Sequence, residues 1–528
     1  MMTMTTTNSE VLSRYFSNTD RPVFALINLP ETVKGALFAR YSRSPKSLRQ
    51  LFLDEFAGDL TGDEGGAAAV GVERAEKLYG RIFNDYGDDS VAQLGGVHLA
   101  CENVSNLLTK VLERGRLAAY LEQSTRYIPY TDRTGGVWRY HVPSELDGHP
   151  LCAAYVEALD ATFETYAKWI DPLRVYFEKR YPKQPGDSDA VYRSATRAKA
   201  LDTLRGLLPA ATQSNVGIYA TGQAYEALIL RMRAHPLAEV RDYADLMLTE
   251  LRKVIPAFLT RVDQPERGGT WTAYLAGARA RTIEVAERLA AGVEPDRRAE
   301  VTLTDFDPDG EVKVVAAALY TATELPDDQL LSMARTMSAA DRAAVLAAYV
   351  GDRTNRRHKP GRAFERTSYR FDILTDYGAF RDLQRHRLMT IDWQSLTTRH
   401  GHVRPEAVVD AGAGADWDAA MSRSAELFDQ LTDGGFREAA QYAVSLAYRV
   451  RFIMDMNARE AMHVIELRTA PAGHPAYRRV CQQMHALIDS RAQHHAIAAA
   501  MKFTDHSAVE LERLQEERRL EKKRQERT

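Results

Sequence analysis

Cysteine is the scarcest informative residue in this 528-residue chain: Cys101, Cys152 and Cys481 are all there is. Three isolated thiols build no disulfide framework and no CxxC zinc site, so a reducing, cytoplasmic setting is expected. The first twenty residues are rich in Thr, Ser and Asn and lack the apolar stretch of a secretory signal. No apolar run is long enough to span a bilayer. A net charge of −3 leaves no electrostatic footprint for nucleic acid. Neither a nucleic-acid partner nor a membrane is therefore expected. GxSxG and GxxxxGK[ST] patterns are missing, and with them the commonest nucleophile elbow and phosphate loop. The pairs His400/His402 and His494/His495 have no carboxylate at ligand spacing, so no metal is assigned.

What is present is a soluble composition, 45% hydrophobic and 27% charged, on a chain too long for one core. It contains a repeated phrase. Arg114-Gly115-Arg116-Leu117 leads to Gln123-Ser124, and Arg385-His386-Arg387-Leu388 leads to Gln394-Ser395 at the same offset. A repeat of domain size implies a fused pair. The predicted division is a disordered tail over 1–20, a first domain over 21–280, a partly helical linker over 281–300, a second domain over 301–505 and a charged tail over 506–528. A helical pattern runs from Ala36 through Tyr41 to Leu48. Gly58 to Gly66, Glu64 to Ala67 and Pro182 to Asp189 read as loops. From Ala200 to Val262 the apolar spacing is mostly helical. Val301–Thr304, Tyr369–Leu374 and Val97–Cys101 read as strands. Each motif follows a strand and a helix, predicted over Gly378 to Arg387 and, capped by Ser105, over Asn106 to Arg114. The charged end, Glu510 to Thr528, reads as a solvated helix or frayed tail.

The chemistry permitted is anion binding. Arg381 and Arg385, like Lys110 and Arg114, fall four apart and would share a helix face. Guanidinium groups gathered at a helix end suit a phosphate or carboxylate. Glu122, Ser124 and Arg126 alternate along an extended loop and could hold a phosphorylated, hydrogen-bonding ligand such as a nucleotide. Downstream stand Arg231-Met232-Arg233 with Glu239-Val240-Arg241, and Glu466-Leu467-Arg468 with Tyr477-Arg478-Arg479; Asn457 and Arg459 precede the latter. Surface ion-pair networks and cations closing helix ends are the structural alternatives.

Together these residues resemble the flavin-dependent thymidylate synthase family, whose signature is Arg-His-Arg-x-x-Ser-x-Asn-x-x-Ser-x-Arg-Tyr. The second copy matches at Arg385, His386, Arg387 and Ser395, with Thr390, Asp392, Thr397 and Thr398 as departures. The first matches at Arg114, Arg116, Ser124, Arg126 and Tyr127, with Gly115, Ala119 and Leu121 as departures. The family's upstream His-x-Ser-x-x-Glu looks like Asp88 to Gln93, with Glu365 kept in the second copy. Its Arg-x-x-Leu-Pro looks like Arg205 to Pro209, its Asn-x-Arg and Leu-Arg like Asn457-Ala458-Arg459 and Leu467-Arg468, and its Glu-Ile-Arg like Glu239-Val240-Arg241.

The resemblance implies an α+β fold of two tandem domains, each a sheet flanked by long helices. It implies a homodimer acting as a pseudo-tetramer, with hybrid sites drawn from both copies. It implies FAD as cofactor, NADPH and methylenetetrahydrofolate as co-substrates, and methylation of dUMP to dTMP. Arg385, His386, Arg387, Asn457 and Arg468, with Arg114 and Arg116, would face the flavin. Glu122, Ser124, Arg126, Arg241, Arg381, Ser395 and Arg478 would hold the nucleotide. No nucleophile is assigned. Action on another pyrimidine nucleotide, or nucleotide binding without catalysis, are the alternatives that the departures leave open.

Overall fold

The computed structural model describes residues 6–42, 44–57, 93–511 and 513–526. The expected loops Gly58 to Gly66 and Glu64 to Ala67 lie outside them, as does Asp88 to Ala92. Helices dominate, with small antiparallel sheets among them, so the fold is α+β. Among the described residues no helix is long and apolar enough to cross a membrane. The chain forms two compact units that interleave along the sequence. One holds 1–102, 115–123 and 215–293, and the other holds 103–114, 124–214 and 294–528.

The first unit carries most of a three-stranded sheet of β1 (Gly96–Ser105), β2 (Ala118–Glu122) and β3 (Gln213–Thr221), in the order β1-β3-β2. β2 runs antiparallel to β3, with Glu122 opposite Val216. β3 corrects the helical reading of 200–262. Val216, Ile218 and Ala220 are buried while Gly217 and Tyr219 face out, a period of two hidden between Ala- and Leu-rich helices. Residues 6–20 of the expected disordered tail are ordered, against expectation. Thr6–Tyr15 is a helix, because Leu12 and Phe16 bury one face, Phe16 packing edge-on to Phe52 at 5.2 Å. The helix predicted from Ala36 to Leu48 is two helices, Glu31–Tyr41 and Leu48–Glu55, because Pro45 interrupts and Ser47 caps the second through Gln50 N.

The second unit is built on a four-stranded sheet: β4 (Val301–Phe306), β5 (Ser368–Asp376), β6 (Thr390–Trp393) and β7 (Arg449–Asn457), ordered β4-β5-β7-β6. All three pairings are antiparallel. The strands expected at Val301–Thr304 and Tyr369–Leu374 are β4 and β5. β7 alternates strictly, burying Val450, Phe452, Met454 and Met456. The long helices Leu151–Arg180, Asp189–Leu204, Gly414–Asp433 and Pro475–Ser490 complete the unit.

Within this unit, segments from both halves of the sequence meet as counterparts. Asn106 and Tyr377 each open the helix after a capping residue, 271 positions apart, and Tyr377 Oη donates to the Asn106 carbonyl at 2.9 Å. Pro209 bridges Ser445, and these two stand equally far before Thr221 and Asn457, which end β3 and β7. Residues that pair with their own counterparts are what a local two-fold relation between repeats produces.

Both motif helices end early. Asn106–Leu112 and Tyr377–Leu383 stop before Arg114 and Arg385, which they were predicted to carry. Gln384, buried, donates to the Lys110 carbonyl at 2.8 Å and occupies the turn. Arg381 is consequently buried and Arg385 exposed, and Lys110 pairs with Glu113 in the interior while Arg114 faces outward. The cations predicted to share a helix face diverge.

Candidate active site

Two carboxylates organise the arginines of the second unit. Asp202, on the Asp189–Leu204 helix, takes both sides of the Arg126 guanidinium, Nε to Oδ1 at 2.7 Å and Nη2 to Oδ2 at 2.6 Å. The third Arg126 donor, Nη1, reaches Tyr477 Oη at 3.1 Å. Arg126 is therefore not on an extended loop beside Glu122. Its own amide donates to Ser124 Oγ at 3.2 Å, a local turn that swings the side chain inward. Burial opposes charge on Arg126, but Asp202 outweighs it and raises the pKa. Burial likewise opposes charge on Asp202, and Arg126, His474 and Arg205 together lower its pKa.

The second carboxylate, Asp382, follows Arg381 at the end of its helix. Arg205 Nη1 lies 3.2 Å from Asp382 Oδ2. Burial would raise the Asp382 pKa, yet the fields of Arg205, Arg385, Arg468 and Arg126 hold it well below the usual carboxylate range. Four guanidinium groups thus bear on one carboxylate, and two of them, Arg126 and Arg205, on Asp202 as well. Tyr477 presents its ring to Arg126 at 6.0 Å and to Arg468 at 5.5 Å. The buried Arg205 Nη2 has no hydrogen-bond partner among the described residues. Among the described residues Arg205 also acts on the buried Asp376, and with one of its donors left over the four guanidinium groups form a set suited to an incoming anion.

Beside this cluster lies a trio formed by His386 and two residues of the helix that follows β7. Asn457 caps Ala458–Arg468 by accepting from Glu460 N at 2.9 Å. Glu460 and His463, three apart, turn one face of that helix towards His386, and the three offer ligand atoms within 4.8 Å of one another. Arg468 Nε donates to His386 Nε2 at 2.9 Å, which assigns the ring proton to Nδ1, 3.6 Å from Glu460 Oε1. Burial, then Arg468, His463 and Lys359, push the His386 pKa well down. Burial with Lys359, Arg356, Arg468 and Arg459 takes His463 to about 4. Burial raises Glu460 to about 7 against the pull of Lys359 and Arg459. The trio has the donor types of a metal site, but the field of four neighbouring cations opposes a divalent ion and favours an anion.

The other predicted residues are placed as follows. Asn457 works as a helix cap, and Arg459 donates to the Pro360 carbonyl at 2.9 Å and pairs with Glu365 at 3.4 Å. Arg478 is buried away from the arginine cluster's carboxylates, donating to the Thr469 and Ser507 carbonyls and to Asp505. Arg114 pairs with Asp392 at 2.5 Å, both exposed. Arg387 and Ser395 are exposed, and Arg381 is buried. In the first unit, Arg116 is exposed and Glu122 buried on β2, while Arg241 donates to the His235 and Pro236 carbonyls. Sequence reasoning assigned no role to Asp202, Asp382, Arg205, Tyr477, Glu460 and His463. Arg205 carried the family-like Arg-x-x-Leu-Pro spacing, and Glu460 and His463 carried a Glu-x-x-His spacing that starts three residues after a capping asparagine.

The charged C-terminal tail is a helix, Leu514–Gln525. Arg518 holds Asp187 through two hydrogen bonds, and Arg513 lies 3.5 Å over the Tyr127 ring.

Comparison with known proteins divides the chain by sequence halves rather than by compact unit. The family model described as "Thymidylate synthase complementing protein" matches residues 36–257 and again 302–492. The chain belongs to this family. The two matched segments accord with tandem copies. A UPF0159 protein of Chlamydia muridarum is 38% identical over 516 residues, 97% of each chain. A UPF0159 protein of Thermoplasma acidophilum is 29% identical over 92% of this chain and 97% of its own. A flavin-dependent thymidylate synthase of Clostridium tetani is 27% identical over 193 residues, 36% of this chain and 71% of that one. Among solved structures, a UMP/dUMP methylase from Streptomyces cacaoi bound with 5-Br dUMP covers 39% of this chain and 99% of its own, at 21% identity and a TM-score of 0.30.

Proposed function

We propose that this family member methylates a pyrimidine nucleotide in the manner of a flavin-dependent thymidylate synthase, converting dUMP to dTMP with methylenetetrahydrofolate and NADPH. The observation that carries the proposal is the convergence of Arg126 and Arg205 from the first family segment with Arg385 and Arg468 from the second, around Asp382 in one unit. That arrangement supports a site shared between the two family segments.

Arg126, Arg205 and Arg385 would bind the nucleotide phosphate, displacing part of the Asp202 and Asp382 pairing. Tyr477 would stack on or bound the pyrimidine between Arg126 and Arg468. The donor set beside His386 fits FAD: neutral imidazoles for hydrogen bonding, and Lys359, Arg356, Arg459 and Arg468 for a diphosphate. FAD, when bound, would relay reducing equivalents from NADPH. The protein's own part is orientation, exclusion of water and positive charge beside a ring that gains electron density. Glu460, raised to about 7 by burial, can hold a proton at its carboxyl near neutral pH.

A second reading, another pyrimidine nucleotide as substrate, is favoured by Asp392. It stands at the signature's asparagine and is engaged with Arg114.

The test is dUMP-dependent NADPH oxidation with release of the C5 hydrogen, measured for the native chain and for Arg126→Ala and Arg468→Ala. Loss of turnover in both variants supports shared sites. Full turnover in either sinks the hybrid site, and NADPH oxidation driven by UMP but not dUMP selects the second reading.

A further inference from the structure

The last segment of the chain lies beyond both stretches that the family model matches, the second of which ends at residue 492. It nevertheless docks on the second unit. The helix Leu514–Gln525 packs against Asp189–Leu204, the helix that carries Asp202. Leu514 and Leu520 are its whole aliphatic content, and Leu520 is 49% exposed. A helix so short and so polar is marginal by itself, and little apolar burial holds it down. Its fastening is polar instead. Arg518 donates to Asp187 from Nε at 2.5 Å and from Nη2 at 2.9 Å, and the Asp187 side chain is buried.

Just ahead of the helix stands Arg513, only 6% exposed, its guanidinium carbon 3.5 Å over the Tyr127 ring. The ring face accommodates a cation but does not neutralise it. Among the described residues Arg513 forms no ion pair, and its buried Nε has no hydrogen-bond partner. Burial, then the like charge of Arg126, lower its pKa. Asp202 is the largest opposing field, and Arg126 already occupies both of its oxygens. A guanidinium buried near a second one, with no carboxylate of its own, is unfavourable until an anion joins them. Glu517, one turn further on, lines a cavity of about 870 Å³ together with Arg126 and Tyr127, so the same helix forms part of that wall.

We propose that Arg513 is a further anion-binding residue of the site built on Arg126, and that the C-terminal helix is a strap which the bound anion draws closed. This rests on the reading of that site as a phosphate site. Arg126 and Tyr127 belong to the first family segment, whereas the strap belongs to neither, so a residue from outside the duplicated scaffold completes the site. The coupling is reciprocal. An anion that favours the docked Arg513 binds more tightly when the strap is docked. With the strap open, Tyr127 loses its cation and the cavity loses the wall that Glu517 supplies.

The experiment is equilibrium dialysis of the full chain against dUMP and against inorganic phosphate. Trypsin cleavage at the exposed Arg519, Lys522 and Lys523, followed by mass spectrometry, is the second readout. The expected result is saturable binding of both probes, with cleavage of the strap slowed about fivefold or more at saturation. Arg513→Gln weakens both probes about tenfold and removes the protection. Arg518→Gln, which unfastens the strap without touching Tyr127, speeds cleavage of the unliganded chain and weakens binding less than Arg513→Gln does. Lys523→Gln, an exposed charge on the same helix, leaves binding unchanged. The inference is overturned if Arg513→Gln binds as the native chain does, if Lys523→Gln loses as much as Arg513→Gln, or if ligand leaves cleavage unchanged. It is also overturned if ligand speeds cleavage, which would make the tail a cover that the ligand displaces. Arg126→Ala separates these outcomes from failure of the functional reading. Binding lost in Arg126→Ala but kept in Arg513→Gln removes the strap and leaves the phosphate site. Binding that Arg513→Gln weakens, in a chain without dUMP-dependent NADPH oxidation, keeps the strap and ends the synthase reading. A native chain that binds neither probe ends both.

Discussion

The two strand–cap–helix elements, β3 with Gly222–Arg233 and β7 with Ala458–Arg468, share a geometry and differ in chemistry. Both helices are capped through the third residue beyond the cap. After β7 that residue is a buried carboxyl, followed one turn later by a half-buried imidazole with a depressed pKa. After β3 both are alanine, at the edge of a cavity. A duplicated scaffold can thus keep its capping and lose its titratable groups, because the cap fixes the helix locally and the groups serve only what binds there.

The largest separation of the two regions should come from their arginines. Arg126→Ala leaves Asp202 buried without its partner, which costs about 3–5 kcal/mol and should abolish turnover. Arg116→Ala, on an exposed side chain of the first unit, should change stability by about 0.5 kcal/mol or less. Urea unfolding of both variants measures the contrast. Equal losses would mean that Arg116 has a structural role its exposure does not show.

A smaller separation should appear with pH. The Glu460 pKa is raised, to about 7, above the unfolded value of about 4.3. The folded state therefore holds the proton more tightly. The stability this group supplies is complete below pH 4.3 and is lost as pH rises through 7. The linkage is on the order of 2–4 kcal/mol. Glu460→Gln should remove it, so that the variant gains on the native chain between pH 5 and pH 8 in matched urea titrations. Ala224, its counterpart, has nothing to titrate, and Ala224→Ser should leave the pH profile parallel to the native one. A native profile that Glu460→Gln does not alter would place the carboxyl in water.

Much of this was legible before the fold, for identifiable reasons. The repeat shows in Arg-x-Arg-Leu and Gln-Ser because charged residues at fixed offsets do not arise from helix periodicity. β5 shows because Tyr369, Phe371 and Ile373 alternate. β3 did not, because Val216, Ile218 and Ala220 are flanked by alanine-rich helices whose composition outweighs a nine-residue alternation. The partners of the arginines were harder still. Asp202 and Asp382 sit on ordinary helices, and only the tertiary fold brings Arg126 to one and Arg205 to the other. Arg126 and Arg205 could be marked as family-like positions from sequence, but their charge balance could not.

The smallest effect tests whether the loss of the trio is reversible. Gly115→His would restore the motif's histidine in the first unit, against Tyr120 Oη at 2.5 Å from the new Cβ. Tyr120 is held on β2, opposite Ile218 of β3, and its hydroxyl donates to the Gly115 carbonyl at 3.1 Å, so it cannot retreat without breaking that bond. The expected cost is about 1–3 kcal/mol, the usual penalty of overpacking. Adding Tyr120→Ala should recover part of it, since contacting residues couple by about 0.5–3 kcal/mol. The double-mutant cycle, measured by urea unfolding, reads that coupling directly. A cycle that closes at zero would mean that Tyr120 is not what excludes a side chain at position 115.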